Sequence, residues 1–360
     1  MLNKELFVKI PPNKSYPVFI DFEPIENLEN KVFACTNANK ILIVINEKVN
    51  KLYGKKLNIK NSIKFVLKDG EHRKNFKNYK RILDFALKNK LERKDAIVAI
   101  GGGVVGDIAG FVAATYLRGI DFIQIPTTLL ACVDSSVGGK VAINTDYGKN
   151  LVGAFYQPKA VFCNLNFLKT LDKRHFKTGL AEVVKYAFIE AAATSLLAGE
   201  VWGEGYLNFF DFLMNNSDKI LARNEEILAE IIEISLKIKA SIVEKDEKEQ
   251  GLRKILNFGH TYGHAVEKIT NYKKYTHGEA VAIGMVFAIN LAFKKGLISE
   301  EYKNEGLELI KKYNLVKKMP EFNEKRMIEL MKADKKVKDG KINFILPSSK
   351  SFVDCFEFEL

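Results

Sequence analysis

The segment AIVAIGGGVVGD, residues 96–107, joins a continuous apolar run to a cluster of glycines. The run has the length and the β-branched content of a strand that is buried on both faces, as in a parallel sheet. Gly101, Gly103 and Gly106 match the spacing GxGxxG, which lets a backbone approach a phosphate at the N-terminus of the next helix. A tight strand–helix turn that needs glycine only for packing remains the alternative.

Two features differ from an ordinary dinucleotide-binding fold. Other strand-like runs precede this one in the chain. The next acid after Asp107 is Asp121, about 15 residues beyond Gly106 rather than about 20. The glycine spacing alone is therefore only a weak indication of a dinucleotide site.

Apolar runs of strand length recur on both sides of this segment. Residues 5–10 and 16–21 predict an initial strand pair, residues 74–90 have a helical pattern, and the further strands are predicted at Ile41–Ile45, Ile63–Leu67, Phe122–Ile125 and Ala160–Cys163. Strands that alternate with helices predict an α/β sheet, with ligands near the C-terminal ends of the strands.

Beyond about residue 171 long segments with a helical period replace the strand-like runs, for example at 227–238, 279–295 and 300–313. We therefore predict an α/β domain at 1–170 and a mainly α-helical domain at 171–360. The Ala/Gly-rich stretch 190–205, which holds the only Trp, has no functional interpretation.

The composition is that of a folded globular protein, with 47% hydrophobic and 28% charged residues. The net charge of +12 comes from lysines spread along the chain, which indicates a solvated basic surface rather than a nucleic-acid or membrane partner. The N-terminal residues do not resemble a signal peptide, and we expect a cytoplasmic protein. Cysteines 35, 132, 163 and 355 have no CxxC spacing, and reduced thiols are expected.

The segment RKILNFGHTYGH places two of the five histidines, His260 and His264, four residues apart. On a helix such residues share one face. A catalytic zinc-type site needs three protein ligands, so His277 at the start of the next predicted helix, or a carboxylate from elsewhere, would have to complete it. The alternative is that these histidines cap helices or fill polar pockets.

Glu182 and Lys185 in GLAEVVK are three residues apart, a spacing typical of a surface salt bridge on a helix. Their apolar neighbours favour a buried site, where ions need a partner or a metal. Both interpretations stay open.

Cations also lie beside small residues at Arg118–Gly119, Asp134–Lys140 and Gly148–Asn150. This pattern suits phosphate binding but is also common on protein surfaces.

Taken together, the motifs resemble the 3-dehydroquinate synthase family, in order, from about residue 40 to 345. The matching stretches are GGGVVGD (101–107), TYLRG (115–119), PTTLL (126–130), VDSSVGGK (133–140), GKN (148–150), AEVVK (181–185), DEKEQGLR (246–253) and LNFGHTYGH (256–264).

The resemblance implies an N-terminal α/β NAD-binding domain and a C-terminal helical metal-binding domain. The implied enzyme is a carbon–oxygen lyase of the shikimate route that converts 3-deoxy-arabino-heptulosonate 7-phosphate to 3-dehydroquinate and phosphate. NAD would be reduced and reoxidised within one turnover, around phosphate elimination, ring opening and aldol closure. A Zn²⁺ or Co²⁺ ion and a homodimer are implied as well.

The resemblance also implies the roles of individual residues. The metal ligands would be Glu182, His260 and His277. Lys140, Asn150, His264, Lys336 and Arg118 would lie near the phosphate, with Arg118 reaching across the dimer. Arg253 and Lys239 would bind the carboxylate, and Asn257, Asp134 and Lys185 the ring hydroxyls. NAD would contact Asn46, Asp69, Gly70, Glu71, His72, Arg73, Lys74, Gly102, Gly103, Val104, Val105, Asp107, Thr127, Thr128, Lys140, Lys149, Phe167, Leu168, Lys169 and Thr170.

Two details depart from the family pattern: residues 190–205 look like an insertion, and His72–Arg73 replaces the more usual residues of its loop. The run after Asp334 also offers Lys335 as an alternative to Lys336. Sister cyclases that act on other sugar phosphates share the implied fold and cofactors. A polyol dehydrogenase would instead release NADH, and a non-enzymatic NAD-sensing or nucleic-acid-binding protein would need no metal.

Overall fold

The computed structural model describes residues 3–10, 14–194, 208–334 and 342–358. The chain folds into two compact units, Met1–Leu171 and Asp172–Leu360. Within the described residues, no helix combines the length and the hydrophobicity needed to cross a bilayer. Most of the Ala/Gly-rich stretch, from residue 195 onwards, lies outside the described residues, as does Lys336.

The first unit is built on a largely parallel sheet. Its described strands are β1 (Asn3–Val8), β2 (Tyr16–Asp21), β3 (Ile41–Asn46), β4 (Ser62–Leu67), β5 (Ala96–Gly101), β6 (Asp121–Pro126), β7 (Lys140–Thr145), β8 (Gly148–Phe155) and β9 (Ala160–Asn164). Seven of these form one sheet in the order β1-β2-β9-β6-β5-β3-β4, in which only β1 is antiparallel to its neighbour. Every strand that the sequence predicted is present.

Both faces of this sheet are covered, which explains the continuous apolar runs. Successive side chains of β3 alternate between two cores: Leu42 and Val44 enter one, and Ile41, Ile43 and Ile45 enter the other. The described helices of this unit are α1 (Leu28–Ala34), α2 (Glu47–Tyr53), α3 (Phe76–Lys88) and α4 (Gly103–Thr115).

The strand order of the sheet reverses between β3 and β5. β3 and β5 are neighbours, but the chain continues from β3 outward to β4 and from β5 in the opposite direction to β6 and β9. In doubly wound sheets ligands bind outside the C-terminal ends of strands where the order reverses in this way. Asn46 ends β3 at this point, and Gly101 ends β5.

A hairpin of β7 and β8 was not predicted from the sequence. The two strands pair antiparallel, and they carry Lys140, Lys149 and Asn150. Much of β8 is exposed, and it starts with Gly, Lys and Asn, which are depleted in strands, so the sequence carries little strand signal there.

The second unit is mainly helical, as predicted. A hairpin near its C-terminus, which was not predicted, adds two strands. The described elements are α5 (Lys173–Thr194), α6 (Phe209–Leu221), α7 (Glu225–Lys245), α8 (His260–Ile269), α9 (His277–Lys294), α10 (Glu300–Lys312), α11 (Glu324–Asp334), β10 (Ile342–Ser349) and β11 (Phe352–Phe358).

A capping box fixes the start of α9. The Thr276 hydroxyl accepts a hydrogen bond from the Glu279 backbone N–H, and the Glu279 carboxylate accepts one from the Thr276 N–H at 2.8 Å. Arg174 on α5 donates two further hydrogen bonds to the same carboxylate. The first residue of α9, His277, is therefore held on an anchored turn.

Helices α8 and α9 pack closely through glycines. A Cβ atom at Gly284 would lie 1.8 Å from the backbone oxygen of Gly259. Gly259 itself has φ +77°, a left-handed conformation that favours glycine. A Cβ atom at Gly263 would lie 2.9 Å from the backbone oxygen of Ala280, so the first turns of α8 and α9 also lie against each other.

We predict that Gly284→Ala destabilises the second unit by about 1–3 kcal/mol or more, because the added methyl group must push backbone atoms apart. Gly306→Ala is the matched control, because the nearest atoms to its Cβ belong to the side chains of Phe188, at 3.1 Å, and Ile289, at 3.3 Å, and side chains can shift. Urea denaturation of both variants measures the difference. Equal stability of Gly284→Ala and the unmodified protein would contradict this packing.

Candidate functional site

One carboxylate and two imidazoles meet in the interior of the second unit. The Oε1 atom of Glu182 lies 3.7 Å from Nε2 of His260 and 3.5 Å from Nε2 of His277. One ligand atom from each of the three residues falls within 4.8 Å of the others. Glu182 and His260 are buried, and His277 is partly exposed. Two imidazoles and one carboxylate around an accessible position are typical of a catalytic zinc-type site.

Three helices bring these side chains together. Glu182 lies in the buried part of α5, and the two histidines are the first residues of α8 and α9. Helix N-termini carry partial positive charge, which favours a carboxylate beside them. The three residues that the family resemblance implies as metal ligands, Glu182, His260 and His277, therefore lie close together in the structure.

The other nitrogen of each imidazole has an oxygen nearby. Nδ1 of His260 lies 3.1 Å from the backbone oxygen of Phe258, and Nδ1 of His277 lies 3.6 Å from Oε2 of Glu267. An oxygen at Nδ1 favours the tautomer that carries its proton there. The Nε2 lone pairs are then directed at the point beside Glu182, as metal ligands require.

The two imidazoles differ in their electrostatics. Burial lowers the pKa of His260 to about 3. Burial also lowers the pKa of His277, but its contacts with Glu182 and Glu267 outweigh that effect and raise the pKa to about 10. The carboxylates thus make this point favourable for positive charge. A divalent cation bound to neutral imidazoles would satisfy the same carboxylates, so the donor set fits a metal.

Lys185 contacts the second oxygen of Glu182. Its Nζ atom lies 2.5 Å from Oε2, and the exposed fractions of the two side chains are 2% and 0%. The interpretation as a surface salt bridge is therefore wrong, because both side chains are buried. The role of this buried pair in a functional site stays a prediction. Because a buried charge needs a partner, Lys185 fixes the orientation of Glu182, whose other oxygen faces the imidazoles.

His264 lies beside the same cluster. Its ring centroid is 5.4 Å from that of His260 and 6.2 Å from that of His277. Together with Glu267 and His277 it forms a second group of donors close enough to share an ion. Sequence reasoning missed Glu267. Its position three residues after His264 on the same helix was the signal that could have found it.

A loop after α7 carries two of the predicted substrate residues. The Asp246 carboxylate accepts backbone hydrogen bonds from Gln250, Gly251 and Arg253, which lower its pKa against the opposing effect of burial. The Arg253 guanidinium, buried to 2% exposure, donates to the backbone oxygen of residue 247. Asn257 donates to Oε1 of Glu249 at 2.7 Å. Lys239 on α7 is buried as well.

In the first unit, the residues predicted to bind NAD follow the C-terminal ends of the parallel strands. Because these ends lie at one edge of the sheet, the residues gather on the side where the strand order reverses. They are Asn46 at the end of β3, Asp69–Lys74 after β4, Gly102, Gly103, Val104, Val105 and Asp107 after β5, Thr127 and Thr128 after β6, and Phe167–Thr170 after β9.

The glycine-rich turn serves packing as well. A Cβ at Gly106 would lie 2.7 Å from the Gln124 side-chain oxygen, and one at Gly103 would lie 3.1 Å from the Ser135 hydroxyl. Gly102 precedes the first residue of α4, where free backbone N–H groups occur. Packing alone thus explains Gly106, and phosphate binding by this turn stays a prediction.

An ionic network around the buried Lys74 connects the loop after β4 with α4. The Lys74 ammonium lies 2.8 Å from Asp107 and 3.3 Å from Glu71. Burial lowers the pKa of Lys74, but the two carboxylates outweigh it and raise the pKa. Asn144 on β7 donates to Glu71 at 2.8 Å and accepts the backbone N–H of Asn150. Asn46 donates to Asp69.

The other described residues predicted to bind the phosphate or NAD are surface groups of the first unit. Arg118, Lys140 and Asn150, predicted near the phosphate, are exposed, and Lys149, predicted to contact NAD, is partly exposed. Arg118 and Asn150 have left-handed backbones, with φ values of 67° and 56°. Asp134 lies in a single turn at Ala131–Ser135.

Comparisons with known proteins identify the family. Two family models match consecutive parts of the chain: 3-dehydroquinate synthase N-terminal at residues 64–178, and 3-dehydroquinate synthase C-terminal at 179–337. The 3-dehydroquinate synthase of Caldanaerobacter subterraneus subsp. tengcongensis is 45% identical over 95% of this chain and 93% of its own. That of Prochlorococcus marinus subsp. pastoris is 45% identical over 96% and 93%.

Solved structures show the same fold. A 2-deoxy-scyllo-inosose synthase complexed with carbaglucose-6-phosphate, NAD⁺ and Co²⁺ matches with a TM-score of 0.83, at 23% identity, over 99% of this chain and 97% of its own. A 2-epi-5-epi-valiolone synthase from Streptomyces hygroscopicus subsp. jinggangensis, with NAD⁺ and Zn²⁺ bound, matches with a TM-score of 0.83, at 24% identity, over 96% and 93%. The predicted fold class is confirmed, and the chain belongs to the 3-dehydroquinate synthase family.

Proposed function

We propose that the chain converts 3-deoxy-arabino-heptulosonate 7-phosphate to 3-dehydroquinate and phosphate, as a carbon–oxygen lyase that uses NAD and a divalent cation. The observation that carries this proposal is the cluster of Glu182, His260 and His277 in a chain whose relatives, 45% identical, are named 3-dehydroquinate synthase.

Glu182, His260 and His277 would hold the cation. When bound, it would act as a Lewis acid that polarises substrate hydroxyls and favours their deprotonation. Imidazole and carboxylate donors suit Zn²⁺ or Co²⁺ better than Mg²⁺ or Ca²⁺, which prefer all-oxygen sites. Lys185 keeps Glu182 oriented.

Cationic and amide side chains would bind the remaining groups of the substrate. Arg253 and Lys239 are buried cations, which bind a carboxylate more strongly than exposed ones because solvent screens them less. Asn257, Asp134 and Lys185 would hold ring hydroxyls. The phosphate would be bound by His264, Lys140, Asn150, Lys336 and Arg118.

The first unit would be the NAD-binding domain, and the second the metal and substrate domain. NAD would accept a hydride from the substrate and return it in the same turnover. Support comes from the predicted contact residues, which lie at the edge of the sheet where doubly wound folds bind ligands. The solved 2-deoxy-scyllo-inosose and 2-epi-5-epi-valiolone synthases of the same fold contain NAD⁺. A homodimer, with Arg118 reaching the partner, and a cytoplasmic location remain predictions.

Phosphate release from the heptulosonate phosphate with catalytic amounts of NAD tests this proposal. We expect release that stops after chelation, returns with Zn²⁺ or Co²⁺, and leaves no accumulated NADH. Release from glucose 6-phosphate instead would indicate a sister cyclase. Accumulation of NADH in proportion to product would indicate a dehydrogenase, and turnover that survives complete removal of metal would contradict the proposed site.

A further inference from the structure

We propose that Glu267 is a positioning residue, which holds the His277 imidazole in the tautomer and orientation needed to bind the cation. This inference deepens the proposed function and rests on the metal site proposed there. None of the roles implied by the family resemblance involves Glu267.

The geometry places His277 between two carboxylates. Nδ1 lies 3.6 Å from Oε2 of Glu267, and Nε2 lies 3.5 Å from Oε1 of Glu182. The Glu267 side chain is only 4% exposed. A buried carboxylate on the far nitrogen of a ligand imidazole is the arrangement that orients histidines in many metal sites.

The position of Glu267 in the fold suits this role. It lies on α8 seven residues after His260, and therefore on the same side of that helix. Helix α8 thus carries both the proposed ligand His260 and the carboxylate that faces a second proposed ligand, His277. The close glycine packing of α8 against α9 keeps Glu267 near the first residue of α9.

The physical effect follows from the chemistry of imidazole. The ring can carry its proton on either nitrogen and can flip about its bond to Cβ. A carboxylate at Nδ1 favours the N–H on that side, leaves the Nε2 lone pair for the cation and makes this nitrogen more basic. Loss of such an outer partner typically weakens metal binding by about 10- to 100-fold.

A different role for Glu267 would give a different stoichiometry. Glu267 also belongs to the donor group with His264 and His277, which could hold an ion of its own. In that case the protein would bind two cations and Glu267→Gln would bind one. A positioning role predicts that the unmodified protein and Glu267→Gln each bind one cation.

The test is a titration of metal-free protein with Co²⁺, followed by its visible absorption spectrum, for the unmodified chain, Glu267→Ala, Glu267→Gln and His277→Ala. We expect one Co²⁺ per chain, affinity about 10- to 100-fold weaker in Glu267→Ala with an altered spectrum, and partial recovery in Glu267→Gln, which keeps an oxygen for Nδ1. His277→Ala should bind more weakly than any of these.

Glu190→Gln is the matched control. Glu190 is a buried carboxylate of α5 that accepts the backbone N–H of Phe209 at 2.8 Å, so the substitution removes a buried charge without touching the cluster. Its Co²⁺ affinity should match the unmodified chain. Unchanged affinity and spectrum in Glu267→Ala, or two cations per chain, would overturn the positioning role. Unchanged binding in His277→Ala would instead overturn the metal site itself.

Discussion

Replacing Glu182 with glutamine is expected to abolish metal retention and to lower turnover by more than about 1,000-fold. The substitution removes the only carboxylate among the three proposed ligands and keeps its size. It also leaves the Lys185 ammonium, 2.5 Å away, without its negative partner. A catalytic cation supplies several kcal/mol of charge stabilisation, and each 1.36 kcal/mol corresponds to a factor of ten in rate. Elemental analysis and phosphate release measure the two effects.

Glu233→Gln provides the comparison. It breaks another Glu–Lys pair, one turn apart on α7, where Glu233 lies 2.8 Å from Lys237. This pair is partly exposed, so its loss should cost less than about 1 kcal/mol and leave the metal in place. Circular dichroism of both variants separates loss of metal from loss of fold. A Glu182→Gln protein with one tightly held cation and full activity would refute the proposed role of Glu182.

Replacing Arg253 with alanine is expected to weaken substrate binding by about 30-fold or more, while NAD binding changes by less than about twofold. Truncating one partner of a buried, hydrogen-bonded charge pair costs about 2–5 kcal/mol, and Arg253 is buried to 2% exposure in a loop anchored by Asp246. Arg253→Lys should recover part of the loss, since lysine keeps the charge without the planar fork. Separate calorimetric titrations with each ligand measure the two affinities.

Lys254→Ala is the control for this prediction. Lys254 is the next residue in the chain and is exposed, so its removal takes away the same charge without a buried site. Both affinities should stay close to those of the unmodified chain. Equal losses of NAD and substrate affinity in Arg253→Ala would show that Arg253 supports the fold rather than the carboxylate.

The fold could be predicted where burial leaves a clear pattern. β3 and β5 are apolar throughout because the sheet is covered on both faces, and the helices α7, α9 and α10 show their apolar period. The hairpins β7–β8 and β10–β11 were missed. β8 is largely exposed, and strand propensity in such a segment depends on packing that a sequence does not display. β10 and β11 do carry a strand signal, since both are rich in apolar and aromatic residues and a Pro-Ser-Ser-Lys-Ser turn separates them, but the helical pattern of the preceding residues outweighed it.

The site could be predicted only in part from local patterns. The spacing of His260 and His264 indicates a shared helix face, but the ligand pair in the cluster is His260 and His277, on different helices. Periodicity does not identify the distant Glu182 as their partner, and the family resemblance was needed for it. Neither the local sequence patterns nor the family resemblance pointed to Glu267. Its proposed role depends on the short distance between α8 and α9, which no sequence motif records.

Anomalous diffraction from crystals of the Co²⁺-loaded protein, collected at the cobalt absorption edge, tests the central claim most directly. We expect one strong peak within coordination distance of the Glu182 carboxylate and of Nε2 of His260 and His277. A peak bound by His264 and Glu267 instead, or crystals that take up cobalt without any peak at Glu182, would contradict the proposed site.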